Sequence, residues 1–273
     1  MIRAFSASVL ATVLAGAAIS AQSYRAPRTA SGQPDLNGFW QALNTANWDL
    51  EAHEAAAGPV VQLGAAYAVP PGAGVVVDGP IPYKPDALAM KKKYAANALR
   101  EDAEVKCYLP GVPRVMYMPY PVQIVQSSDT ILMMSEFASA VRTIYINGTA
   151  RPPADTWMGW SNGKWDGETL VIDSRGFMGG TVGALDEEGA VHVRFLDRAG
   201  NYHTDGLHVV ERLRRTDADH LQYEATIEDP NVYTRPWTIR MPLYRRVEPN
   251  MQLGDFKCEE FVGDLVYGKY QKK

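Results

Sequence analysis

The chain has 273 residues, a formal net charge of −4, 46% hydrophobic residues and 21% charged residues. That length holds one or two domains with a sizeable core. The composition excludes a largely disordered chain, a collagen-like fibre and a multi-span membrane protein. With no excess of positive charge, nucleic acid is not an expected partner.

Met1-Ile2-Arg3 places one positive charge ahead of an apolar run from Ala4 to Ile19, and small Ala21 follows it. This is the layout of a secretory signal peptide, residues 1–21, cleaved after Ala21. The run, about 16 residues rich in Ala and Ser, is short for a membrane span. Periplasmic or secreted localisation is therefore expected, with no membrane span after cleavage. In an oxidising compartment Cys107 and Cys258 are candidates for a disulfide closing a loop of about 150 residues; two separate buried thiols are the alternative.

Residues 22–84 read as an extended N-terminal segment. Phe39 and Trp40 look like anchors of a first ordered element, and the Ala-rich stretch 42–57 is a candidate short helix. Pro70, Pro71, Pro80, Pro82 and Pro85 exclude helix between them and predict a wrap over the surface. The strongest helix candidate runs from Pro85 to Glu104, with Pro85 at the first turn and Met90, Tyr94 and Ala98 on one face. Lys91-Lys92-Lys93 reads as a solvated face.

From Tyr108 the pattern turns to β. Candidate strands are 115–118, 122–126, 130–136, 141–146, 169–173, 190–196, 207–214, 221–228 and 237–244. Turn signals separate them at Asn147-Gly148, Ser161-Asn162-Gly163 and Asp166-Gly167, and a further one spans 197–201. Leu207, Val209, Glu211 and Leu213 alternate with His208, Val210, Arg212 and Arg214. The expected fold is mostly β: an antiparallel barrel, lipocalin-like, or a sandwich, residues 85–273, with one N-terminal helix and a Pro-rich extension.

Three segments stand out: Trp157-Met158-Gly159-Trp160-Ser161-Asn162-Gly163-Lys164-Trp165 running on to Asp173, Pro110-Gly111-Val112-Pro113-Arg114, and Thr234-Arg235-Pro236-Trp237-Thr238. Together they resemble a large group of secreted bacterial proteins, common in soil bacteria, over about Gly79 to Glu260. The resemblance implies a bacterial, exported, mostly β protein and assigns no chemistry. Where that group carries a His-Ser-Glu step, this chain has His203-Thr204-Asp205. Where it carries Phe-Asn-Asp, this chain has Phe177-Met178-Gly179.

The densest polar constellation is His203, Asp205, His208 and Glu211. On one strand His203 and Asp205 share a side, and a bulge at Gly206 would bring in His208. An Asp beside a His can orient the imidazole for acid–base work; a turn histidine beside a capping Asp is the alternative. Arg142, in an aromatic and β-branched strand, would hold an anionic substrate oxygen or form a structural ion pair with Glu136 or Glu211. Trp157, Trp237, Tyr145 and Tyr233 are candidate ligand contacts, or else core anchors. The His spacing matches no standard metal signature, and no cofactor-binding motif is present. Two function classes stay open: a cofactor-free enzyme doing acid–base chemistry on a small organic or sugar-like substrate, with His203, Asp205, Arg142 and Glu211 in catalytic roles, and a lipocalin-like binder of an apolar or aromatic ligand.

Overall fold

The computed structural model describes residues 24–58, 68–77, 79–179 and 194–257. The expected signal peptide, Cys258 and most of the expected strand at 190–196 lie outside them. In chain order the elements are β1 (Gly38–Gln41), β2 (Val76–Val77), α1 (Pro85–Glu101), β3 (Val122–Gln126), β4 (Thr130–Ser135), β5 (Val141–Ile146), β6 (Trp160–Asp166) and β7 (Thr169–Arg175). Then come β8 (Arg194–Phe195), β9 (Tyr202–His203), β10 (His208–Arg215), β11 (His220–Glu228) and β12 (Trp237–Arg245).

Nine of these strands close into a barrel in the order β1-β3-β4-β5-β6-β7-β10-β11-β12, with β12 returning to β1. Eight neighbour pairs are antiparallel and one, β5 with β6, is parallel. Parity demands this. Direction alternates around an antiparallel ring, and an odd number of strands closes only if one pair runs parallel. The barrel expectation therefore holds, with one seam that strand patterning did not show. β2 pairs with Thr238 and Ile239 of β12, beyond the stretch of β12 held by β1.

Alternation sets the inside. Val209, Glu211 and Leu213 of β10 and Leu221, Tyr223, Ala225 and Ile227 of β11 are all 0% exposed. A ligand cavity would leave such surfaces reachable by water, so this interior is a packed core. At one end the strands join by tight turns, 127–129, 167–168 and 216–219. The N-terminal segment covers that end: Leu36 and Trp40 are fully buried, and Arg215 Nη1 donates to the Asp35 carbonyl at 3.1 Å. The other end receives the long connections 42–121, 176–207 and 229–236, whose described residues form a lid over it.

α1 starts at Pro85, with Asp86 in its first turn, and its C-terminal Asp102 N–H caps Ala98 O. It buries Tyr94 edge-on against Phe195 and Tyr202, at 6.1 and 4.8 Å between ring centroids. Four local expectations need correction. Residues 42–57 form bends and turns rather than a helix. Residues 114–116 form a 3-10 turn that carries Val115 and Met116 into the core. Ser161-Asn162-Gly163 lies inside β6, because Ser161 and Gly163 face the crowded interior where bulky side chains do not fit. Asn147-Gly148 does turn, with Asn147 at φ 57, and opens a crossover, because β6 runs parallel to β5. Lys91 also leaves the solvated face, reaching Glu51 at 3.3 Å.

At the seam Gly163 pairs with Ile146, and a Cβ there would meet Ile144 Cγ2 at 2.7 Å and Ile146 Cδ1 at 3.1 Å. Gly163→Val is expected to destabilise the fold by about 1–3 kcal/mol through overpacking, measured by urea denaturation. Wild-type stability in that variant would show that the seam is looser than described.

Candidate functional site

The polar constellation of the sequence splits in three. His203, on β9, is buried at 2% exposure, and Nδ1 donates to the Thr204 carbonyl at 2.8 Å. Asp205 is exposed, and no hydrogen bond joins it to His203 among the described residues. The carboxylate that acts on His203 is Asp229, which accepts from Thr204 N–H and Thr204 Oγ1. His208 faces the outside of β10, between Asp173 at 3.0 Å and Glu228 at 3.2 Å. No bulge gathers these groups. The turn at 204–206 sends the chain from β9 over the rim before β10 begins.

Glu211 points inward and meets Arg142. Arg142 Nη1 donates to Glu211 Oε1 at 3.1 Å, and Nη2 donates to Oε2. Both side chains are at most 2% exposed. Arg142 also donates through Nε to Ser161 Oγ at 2.9 Å and through Nη2 to Ser174 Oγ at 2.8 Å. Tyr223 O–H donates to Glu211 Oε1 at 2.9 Å. Of the two partners left open by the sequence, Glu211 is therefore the one used. Glu136 instead accepts from Gly254 N–H at the rim. This closed network leaves Arg142 no free face for a substrate.

The four aromatic candidates separate as well. Trp237 and Tyr233 are core residues, 2% and 3% exposed, packed edge-on at 5.4 Å. Tyr145 and Trp157 lie together on the outside, in a cleft of about 540 Å³ beside the β5–β6 seam. Tyr145 stacks on Trp160 with centroids 4.7 Å apart and an interplanar angle of 17°. Trp157 meets Tyr108 edge-on at 5.5 Å. Met158, Met178, Thr143, Thr156 and Asp155 are among the other lining residues. The crossover 147–159 places Trp157 here, returning along the barrel wall to start β6 parallel to β5. Thr156 bridges Phe177 at its end.

A second polar layer lies in the lid, and sequence reading missed it. Arg114 is buried, clamped by Asp102 at 2.5 and 2.9 Å and Glu104 at 2.7 Å, with Nε donating to Asn47 Oδ1. Burial alone would push Glu104 up, but the hydrogen bonds from Arg198 and the charges of Arg114 and Arg198 hold it below its ordinary value. Asp197 is fully buried and accepts from the N–H groups of Leu50 and Asn201 and from Asn201 Nδ2. The only sequence signal was its place in the expected 197–201 turn, where a surface carboxylate is the ordinary reading. Arg194 was also missed. Its guanidinium lies 3.7 Å over the Trp157 ring. Among the described residues no group of three or more His, Cys, Asp and Glu side chains is placed to hold a metal ion. The chain matches no protein-family model, no curated protein and no solved structure.

Burial, reinforced by the Asp49 charge, raises Asp197 to about 7 from an ordinary 3.8. Burial lowers His203 to about 4 from an ordinary 6.5. The two act in opposite directions on stability. The Asp197 contribution is complete below pH ~4 and is lost as pH rises toward ~7. The His203 contribution is complete above pH ~6.5 and is lost as pH falls toward ~4. Relative to wild type, Asp197→Asn should gain stability as pH rises from 4 to 7, and His203→Gln should gain as pH falls from 6.5 to 4. Each slope is bounded by about 1.4 kcal/mol per pH unit. Urea denaturation across pH 4–8 measures both, and a pH-independent difference would contradict the burial of that group.

Proposed function

We propose that the protein is an exported binding protein that holds a small planar aromatic ligand in the outer cleft beside the β5–β6 seam. The observation that carries this reading is the cleft: about 540 Å³, walled by Tyr145, Trp157, Trp160 and two methionines. Ligand pockets are mostly apolar clefts of roughly 300–1,000 Å³ with a few polar groups to fix orientation. Thr143, Thr156 and Asp155 supply such groups. The rim adds support, because Tyr108, Val141 and Met178 are 53%, 56% and 44% exposed. Exposed apolar side chains gathered at one cleft indicate a surface meant to be covered.

The acid–base enzyme reading has less behind it. Its dyad would need Asp205 on His203, and its anion-holding Arg142 is saturated by Glu211, Ser161 and Ser174. Export rests on the N-terminal pattern of the sequence. The Cys107–Cys258 disulfide belongs to the same proposal and is supported by the lack of a free cysteine among the described residues. In the described residues no helix is long and apolar enough to cross a membrane.

The test is calorimetric titration with 2-naphthamide, a neutral planar probe. Wild type should bind it, and Trp157→Ala or Tyr145→Ala should weaken binding by about three- to tenfold, the worth of one aromatic contact. His203→Gln should leave affinity unchanged. Undiminished binding in Trp157→Ala, or its loss in His203→Gln, would overturn the proposal.

A further inference from the structure

Arg194 opens β8, paired in register with His203 on β9. Its guanidinium stacks on Trp157, a wall of the cleft, at 3.7 Å. Its Nε is buried with no hydrogen-bond partner among the described residues. Other buried and half-buried arginines have their partners: Arg142 has Glu211, Arg114 has Asp102 and Glu104, Arg198 has Glu104, and Arg215 donates to the carbonyls of Asp35, Asp217 and Ala218. Burial lowers the Arg194 guanidinium, with no carboxylate among the described residues raising it. His203 beside it is neutral at pH 7, so Arg194 is the positive charge of this corner.

A half-buried guanidinium with no carboxylate among the described residues has lost hydration and has only the indole stack to offset the loss. Stacking on the indole fixes its plane and leaves its edge, with its in-plane donors, for a planar oxyanion. We infer that Arg194, which backs the Trp157 wall of the aromatic cleft, is an anion receptor, so that the ligand is a planar aromatic carboxylate whose ring lies in the cleft beside Trp157 and whose carboxylate reaches past the indole edge to the guanidinium. This rests on the cleft reading above and goes one step further, from an aromatic ligand to an aromatic acid. Asp155, also in the cleft wall, gives the pocket a negative side, so the carboxylate is oriented toward Arg194 and away from it.

The test compares 2-naphthoate with 2-naphthamide, nearly the same shape with and without the charge, on the full mature protein by calorimetry. Wild type should bind the naphthoate at least about tenfold more tightly than the amide, and that ratio should shrink as NaCl is raised. Arg194→Gln should bring the ratio to within about twofold, whereas Arg194→Lys should keep part of it. Equal binding of the two probes by wild type would overturn the aromatic-acid inference and leave the cleft reading standing. A preference that survives in Arg194→Gln would overturn the role of Arg194. Binding of neither probe would overturn both readings.

Discussion

The Arg142–Glu211 ion pair is the constraint on which the barrel depends. Arg142 comes from β5, Ser161 from β6, Ser174 from β7, Glu211 from β10 and Tyr223 from β11, so five consecutive wall strands each contribute one group to a single buried network. Removing two opposite charges from water costs several kcal/mol per ion, and their attraction offsets this only when geometry and further hydrogen bonds are complete. Here they are. Every strand in the network must hold its register, because a one-residue slip would turn its polar group outward and strand the charge. The network also spans the parallel β5–β6 seam, the one place where hairpin connectivity cannot set the pairing.

The same network decides where function can lie. A lipocalin-like binder would keep its ligand inside, but this interior is closed by packed side chains and an ionic centre. The proposed cleft is on the outside, and barrel parity created the place for it. An odd strand count forces one parallel pair, the parallel pair forces a crossover, and the crossover places Trp157 in the cleft with the stacked pair Tyr145 and Trp160. The lid adds Arg194, whose guanidinium stacks on Trp157. Closing nine strands is thus linked to an aromatic surface whose neighbours Tyr108, Val141 and Met178 are exposed at the rim.

Much of this was legible in the sequence. The period-2 pattern of β10 placed Glu211 on the apolar face beside Val209 and Leu213, and Pro85 with Asp86 marked the start of α1. Other features were hidden by local chemistry that tertiary packing overrode. Ser161-Asn162-Gly163 carries turn residues, yet the strand needs a small hydroxyl to meet Arg142 and no Cβ beside Ile144. His203 and Asp205 are spaced like a dyad, but their spacing says nothing of burial, and the chain turns between them. Trp157 and Trp237 are equivalent as letters; one lies on a crossover and the other at the start of a core strand. Asp197 sits in a turn that folds under the lid rather than over it, and Arg194 stands out only by the partner it lacks among the described residues.

The most direct test of the account is Glu211→Gln, with unfolding by urea and the affinity for 2-naphthamide measured on the same sample. The substitution keeps the shape and leaves Arg142 charged and unpaired in the core. The account predicts a loss of about 3–5 kcal/mol in stability, with affinity unchanged in the folded fraction. A stability loss under about 1 kcal/mol together with abolished binding would contradict it, because it would place the ligand inside the barrel, on the ion pair itself.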